Sequence, residues 1–115
     1  YESVRDDDLA IVHLKPRGDG MNIGQVVGHA RIGRVTSAQT LSSVKITGYP
    51  FDKLTGQMWT SGRCDGGFDL YNNVRAYYTC DTTAGVSGAA LMDSHGVAYG
   101  VHGYGGEDYN RANVF

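Results

Sequence analysis

The 115-residue chain is poor in proline and cysteine, with two residues of each, and it has a single tryptophan. No apolar run approaches the length that crosses a bilayer, so we expect no contact with a membrane. Ten Lys and Arg residues against twelve Asp and Glu give a net charge of −2, which leaves no basic surface for nucleic acid. Scattered histidines without a Cys-x-x-Cys pair predict neither a metal nor another cofactor.

What the chain has in quantity is glycine, with 17 residues, and tyrosine, with eight. Short apolar or alternating segments lie between glycine-rich turns, and no convincing amphipathic helix or repeat occurs. We therefore predict an all-β fold, an antiparallel barrel or sandwich. The predicted strands are Leu9–Leu14, which is expected to be buried, Val44–Thr47, Gln57–Thr60, Arg75–Thr79, Ala89–Met92 and Val97–Val101.

Cys64 and Cys80 stand sixteen positions apart. A disulfide between neighbouring strands is the favoured interpretation if the protein is extracellular. Two buried free thiols are the alternative.

Ser87 is the first residue that could carry chemistry, because it lies in Gly85-Val86-Ser87-Gly88. A serine hydroxyl becomes a nucleophile when a base takes its proton and donors stabilise the oxyanion that forms. Glycines on both sides permit a bend in which the N–H groups of Gly85 and Ser87 share one small space. In a glycine-rich chain such a motif is more often only a turn.

Asp8 and His102 become candidate site residues when they are considered together with Ser87. Asp8 begins an apolar segment, where a carboxylate can orient a histidine, although a solvated acidic turn at 6–8 is the simpler interpretation. His102 lies in a glycine-rich strand that could face a pocket, although a histidine satisfied by a backbone carbonyl is commoner.

Several ordered blocks of the sequence resemble the glutamyl endopeptidase family, secreted proteases of the chymotrypsin fold typified by the staphylococcal enzyme. The resemblance covers nearly the whole chain, with similar gaps between blocks. It implies a chymotrypsin-like antiparallel β-barrel. The blocks are 8–12, 23–27, Ile46–Lys53, Met58–Trp59, Thr82–Gly88 and Gly100–His102.

For catalysis, the resemblance implies that Ser87 is the nucleophile of a serine endopeptidase and Asp8 the aspartate of its triad. Gly85 and Ser87 match the positions whose N–H groups form the oxyanion hole. Hydrolysis would proceed through an acyl-enzyme, without a cofactor.

For specificity, the resemblance implies that Thr82 and His102 line a pocket for the acidic side chain that precedes the cleaved bond, with Gly103 on the substrate-binding edge. A hydroxyl donor and an imidazole both favour a carboxylate over a neutral side chain. The strand that follows His102 is one residue longer than in the family, which puts strict glutamate preference in question.

The catalytic histidine of the family has no counterpart here, since only seven residues precede Asp8 and His13 follows it on the same predicted strand. We expect residues 1–28 to form the last strand of a first barrel and a linker, and 29–115 the second barrel. A missing or separate chain would supply the histidine, and the protein would be secreted. The alternative is an inactive binding protein or toxin-like module on the same fold.

Overall fold

The computed structural model describes residues 8–62, 64, 69–72 and 74–115. Within this part of the chain, a five-residue helix and a 3-10 turn accompany eight β-strands. The helix α1 spans Ile23–Val27, and the 3-10 turn spans Ala38–Leu41. The strands are β1 (Arg31–Ile32), β2 (Lys45–Gly48), β3 (Trp59–Thr60), β4 (Asp69–Tyr71), β5 (Arg75–Tyr78), β6 (Ala90–Met92), β7 (Val97–Gly105) and β8 (Asn110–Val114).

The strands form one sheet in the order β3-β2-β6-β7-β8-β5-β4, and every neighbouring pair along this path is antiparallel. Strand β1 lies off the path and pairs in parallel with the start of β7. The predicted all-β class is thus confirmed. Five of the six predicted strand segments correspond to β2, β3, β5, β6 and β7.

Strand β7 organises the sheet, because it pairs with β6, β8 and β1. Its residues alternate between buried and partly exposed from Val97 to Gly103, as expected for a strand with one face on a core. Its register with β8 shifts between His102 and Tyr104, so Gly103 lies in a β-bulge. Bulges bend a strand and re-aim its side chains, and this one lies beside the predicted nucleophile.

The core lies inside the curved sheet and is made mainly of aliphatic side chains with one buried tyrosine, Tyr78. Cys64 and Cys80 belong to this core and are joined by a disulfide. The disulfide prediction is therefore confirmed, and the free-thiol alternative is wrong. Neither helical segment in the described part of the chain is long and apolar enough to cross a membrane.

The segment Leu9–Leu14 differs from its prediction. No strand is formed there, and the apolar side chains are open to solvent, with Ile11 94% and Val12 75% exposed. The prediction of a buried strand is wrong for this chain by itself, because none of the described residues pairs with or covers the segment. Helix α1 was not predicted either, and its start is fixed by the Asn22 N–H, which donates to Oε1 of Gln25 at 2.8 Å.

Candidate active site

Ser87 stands on a tight bend between β5 and β6. Gly85 and Gly88 adopt left-handed conformations, with φ of 96° and 87°, which non-glycine residues rarely adopt. Hydrogen bonds within the loop, from the Val86 N–H to the Thr83 carbonyl (3.3 Å) and from the Ala89 N–H to the Val86 carbonyl (3.0 Å), hold the bend. The bend leaves the Ser87 side chain exposed at the surface.

The N–H groups around this bend divide into two sets. Those of Val86 and Gly88 are used within the protein, the second donating to the His102 carbonyl at 2.7 Å. Those of Gly85 and Ser87 donate to no acceptor among the described residues. Two unengaged donors beside a serine hydroxyl are what an oxyanion site requires.

The bulge at Gly103 brings the nucleophile candidate and the carboxylate candidate to one place. The Ser87 hydroxyl donates to the Gly103 carbonyl oxygen at 3.3 Å. A β-carbon built on Gly103 would lie 3.3 Å from Oδ2 of Asp8. Asp8 and Ser87 are 79 positions apart in the sequence, yet Ser87 bonds to this glycine and the Asp8 carboxylate lies beside it.

All four histidines lie in the described part of the chain, and none of them bonds to Ser87. The ring of His102 is buried and bonds to Tyr78, while His95 lies beside Asp93 with Nδ1 3.8 Å from Oδ2. His13 and His29 are exposed. Within this chain, no imidazole is therefore hydrogen-bonded to Ser87 as a general base would be.

A cleft of about 340 Å³ opens next to Ser87. The predicted pocket residues Thr82, His102 and Gly103 all contribute to its wall, as does Ser87 itself. The structure therefore places them around one cavity, and their roles toward a substrate remain predictions. The remaining lining residues are Thr83, Ala84, Tyr104, Gly105 and Gly106.

The hydroxyl of Thr82 is already engaged. It donates to Oδ1 of Asn110 at 2.7 Å, and Nδ2 of Asn110 donates to the Cys80 carbonyl at 2.6 Å. The second bond fixes the orientation of the amide, because the flipped amide would set two oxygens against each other. Thr82 therefore presents oxygen lone pairs to the cleft unless its hydroxyl proton leaves Asn110.

His102 is 2% exposed, and its Nδ1 lies 2.5 Å from the hydroxyl of Tyr78, which is 1% exposed. Burial lowers the pKa of His102, because desolvation penalises the imidazolium. Burial likewise raises the pKa of Tyr78, so both rings are neutral near pH 7.

Sequence reasoning missed the contacts that support this site. Tyr78 and Asn110 attracted no attention, since one is an ordinary inward residue of β5 and the other begins β8. The turn after β2 also supports the serine loop: the Phe51 N–H donates to the Ala84 carbonyl at 2.8 Å, and the Thr83 hydroxyl to Oδ1 of Asp52 at 3.1 Å. The sequence marked that segment only as the block Ile46–Lys53 of the family resemblance.

The chain is similar in sequence to bacterial proteases. It is 33% identical over 108 residues to a glutamyl endopeptidase of Staphylococcus epidermidis, covering 94% of this chain and 36% of the relative. A glutamyl endopeptidase of Staphylococcus aureus is 32% identical over 109 residues, with 93% and 32% covered. No protein-family model matches the chain.

The structure agrees with the sequence comparison. A solved Glu endopeptidase in complex with MPD superposes with a TM-score of 0.61 at 34% identity, covering 82% of this chain and 45% of that one. This chain spans about a third of the length of the curated relatives that it matches. By sequence and by fold, the chain is homologous to the matched part of the glutamyl endopeptidases and shares the chymotrypsin-like β-barrel.

Proposed function

We propose that this chain carries the nucleophile and the triad aspartate of a serine endopeptidase. The observation that supports this most strongly lies at the Gly103 bulge, where the Ser87 hydroxyl donates to the Gly103 carbonyl oxygen and the Asp8 carboxylate lies beside the same residue. The unengaged N–H groups of Gly85 and Ser87 lie on the same bend.

In the proposed mechanism, Ser87 Oγ attacks the scissile carbonyl and passes its proton to a histidine, which then protonates the leaving amine. The carboxylate of Asp8 orients that histidine and stabilises its charged form. The N–H groups of Gly85 and Ser87 hold the oxyanion of the tetrahedral intermediate. Water then hydrolyses the acyl-enzyme by the same steps.

The histidine would come from a companion, either a separate chain or a preceding part of a longer protein. The apolar segment beside Asp8 supports this, because Leu9, Ile11, Val12 and Leu14 are between 44% and 94% exposed. Exposed apolar side chains in sequence are characteristic of a surface that another domain covers. Residues 1–28 would then complete a first barrel, and residues 29–115 form the second.

The cleft favours an acidic side chain before the cleaved bond. Its wall contains His102, whose imidazole can donate a hydrogen bond, and none of the lining residues that the structure describes is acidic.

Peptide hydrolysis by the complete protein, this chain together with the histidine-bearing part, tests the assignment. Ser87→Ala should reduce kcat by a factor on the order of 10⁶ and Asp8→Asn by about 10⁴. Ser94→Ala is the matched control, because Ser94 is exposed in the β6–β7 turn and should leave kcat unchanged. Activity that survives Ser87→Ala would contradict the proposal.

Paired peptides with glutamate or glutamine before the cleaved bond test the acidic preference. His102→Ala should lower kcat/KM for the glutamyl peptide far more than for the glutaminyl one, because only the first offers a carboxylate. Equal losses on both would count against an acid-binding cleft.

An extracellular location fits the disulfide between Cys64 and Cys80, because such bonds persist in oxidising compartments. A binding protein without activity is the second candidate, and the observation that favours it is that no described histidine bonds to Ser87. Full retention of target binding by Ser87→Ala, with no hydrolysis by the complete protein, would select this candidate.

A further inference from the structure

Tyr78 is a buried residue that bonds to the cleft residue His102 and that the proposed mechanism does not use. It lies on β5, two strands away from β7, with β8 between them. The Tyr78 side chain extends through the core, and its hydroxyl oxygen lies 2.5 Å from Nδ1 of His102. The centroids of the two rings are 6.0 Å apart. A hydrogen bond between two almost fully buried side chains fixes both of them.

The geometry assigns the two ring nitrogens of His102 to different surroundings. Nδ1 faces Tyr78 in the core. Nε2 has no hydrogen-bond partner among the described residues, yet it is not a fully buried unsatisfied atom, so it is partly accessible. His102 lines the cleft, which is the space that Nε2 can reach. Nε2 is therefore the nitrogen that meets a ligand in the cleft.

A carboxylate in the cleft needs a donor at Nε2. A neutral imidazole carries one proton, so it offers an Nε2–H only when Nδ1 is an acceptor. In the other tautomer, the Nε2 lone pair would face the carboxylate and repel it. The partner of Nδ1 thus decides whether His102 attracts or repels an acidic side chain.

The remaining polar groups of the cleft make this choice important. The Thr82 hydroxyl proton is held by Asn110, whose amide is in turn fixed by the Cys80 carbonyl. The lining includes no lysine or arginine among the described residues. Two side-chain donors remain available without rearrangement: the imidazole of His102, which is buried in the wall, and the hydroxyl of Tyr104, whose side chain is 58% exposed.

We propose that Tyr78 is a specificity-determining positioning residue: its hydroxyl donates to Nδ1 of His102 and holds the imidazole as the Nε2–H tautomer, directed at the acidic side chain of the substrate. The proposal rests on the proposed acid-binding function of the cleft. It extends that function, because selectivity then depends on a residue that never touches the substrate.

The tautomer can be measured without any enzymatic activity. The 115-residue chain, labelled with ¹⁵N-histidine, gives long-range ¹H–¹⁵N spectra in which the protonated ring nitrogen is identified directly, and His102→Gln assigns the signal. We expect Nε2–H in the unmodified chain and a mixture of tautomers in Tyr78→Phe. The Nδ1–H tautomer in the unmodified chain would overturn the proposal, even if Tyr78→Phe fails to fold.

Selectivity is the second measurement, made with the complete protein. Tyr78→Phe should lower the preference for glutamyl over glutaminyl peptides about three- to tenfold, corresponding to one hydrogen bond. Tyr77→Phe is the matched control, since the Tyr77 ring packs edge-on against Tyr109 at 5.2 Å and should leave the preference unchanged.

If Tyr78→Phe folds and leaves both the His102 tautomer and the preference for glutamyl peptides unchanged, the proposal is overturned. A merely structural role of Tyr78 would change only the thermal stability of the variant. If the complete protein cleaves neither peptide, the proposed function fails. The tautomer spectra still decide the role of Tyr78.

Discussion

Two constraints require glycine at position 85, in the loop 82–88 that carries Ser87: the backbone conformation and the close packing. The φ of 96° at Gly85 lies in the left-handed region, and a β-carbon there would lie 2.7 Å from the Tyr49 carbonyl oxygen and 2.8 Å from the Phe51 ring. Real β-carbons do not approach backbone atoms so closely. Gly85 thus allows the loop to pack against the turn after β2 while its own N–H stays unengaged.

Replacing this glycine should therefore damage both stability and catalysis. We expect Gly85→Ala to lower the free energy of unfolding by about 3 kcal/mol or more, since strain in φ adds to a steric clash. Urea unfolding of the chain measures this change.

Gly88→Ala is the matched control. Gly88 has a similar φ of 87°, but a β-carbon there meets nothing within 4 Å. Gly88→Ala should therefore lower the free energy of unfolding only by the strain of a left-handed φ, about 1–2 kcal/mol. Equal losses in the two variants would show that the contact with Tyr49 and Phe51 does not constrain the loop.

His102 should make stability depend on pH. Its pKa is lowered in the folded chain by burial, whereas the unfolded chain titrates near the ordinary value of about 6.5. Below that pH the unfolded state binds more protons than the folded state. The contribution of His102 to the free energy of unfolding is therefore fully present above about pH 6.5 and decreases as the pH falls.

Unfolding by urea at several pH values between about 5 and 8 checks this, with His102→Gln for comparison. The variant should show a flatter profile in this window. Asp93 and Asp52, whose carboxyl pKa values are lowered mainly by hydrogen bonds to the Val97 N–H and to Lys53 respectively, act only below about pH 4. Identical profiles for the two proteins would contradict the buried neutral imidazole.

At the scale of elements, the disulfide joins the segment before β4 to the segment between β5 and the loop that carries Ser87. Cys80 lies two positions after the end of β5, and Cys64 lies between β3 and β4, with both half-cystines in the core. The bond closes a loop with a sequence separation of 16. It thereby restricts the unfolded chain.

The double variant Cys64→Ala, Cys80→Ala should lose about 3 kcal/mol of unfolding free energy in the chain-entropy account. Urea unfolding with and without a thiol reductant provides the measurement. The reductant should destabilise the unmodified chain and leave the double variant unaffected. Equal stability of the two proteins under oxidising conditions would contradict the role given to this bond.

The elements also show how far the sequence could lead. The β6–β7 hairpin was predictable, because apolar runs flank the turn signal Asp93-Ser94-His95-Gly96. Strand β1 has only two residues, and its parallel pairing with β7 has no local signature. The burial of a segment such as Leu9–Leu14 depends on what covers it, and alternation or apolar content cannot supply that information.

The sequence predicted only part of the candidate site, because it reveals local motifs and not contacts between distant residues. Ser87 and Gly85 belong to one short motif, whereas the contacts of Tyr78 with His102 and of Asn110 with Thr82 cross 24 and 28 residues of sequence. Such contacts depend on strand order and register. The amino acids alone do not reveal them.

At the scale of the whole molecule, the chain has a nucleophile candidate, a carboxylate and two unengaged donors, but no base in contact with the serine. The sequence match spans about a third of the length of its curated relatives. An exposed apolar segment adjoins the carboxylate that the missing imidazole would contact. These features agree with the proposed function, in which a companion supplies the histidine.

Covalent labelling with a fluorophosphonate tests this account most directly, since the reagent bonds to a serine only when the serine is activated. We predict one adduct, mapped by peptide mass to Ser87, when the chain is joined with its histidine-bearing part. The adduct should disappear in Ser87→Ala and form much more slowly in Asp8→Asn. No adduct in the folded complete protein, or an adduct on a different serine, would contradict the central claim.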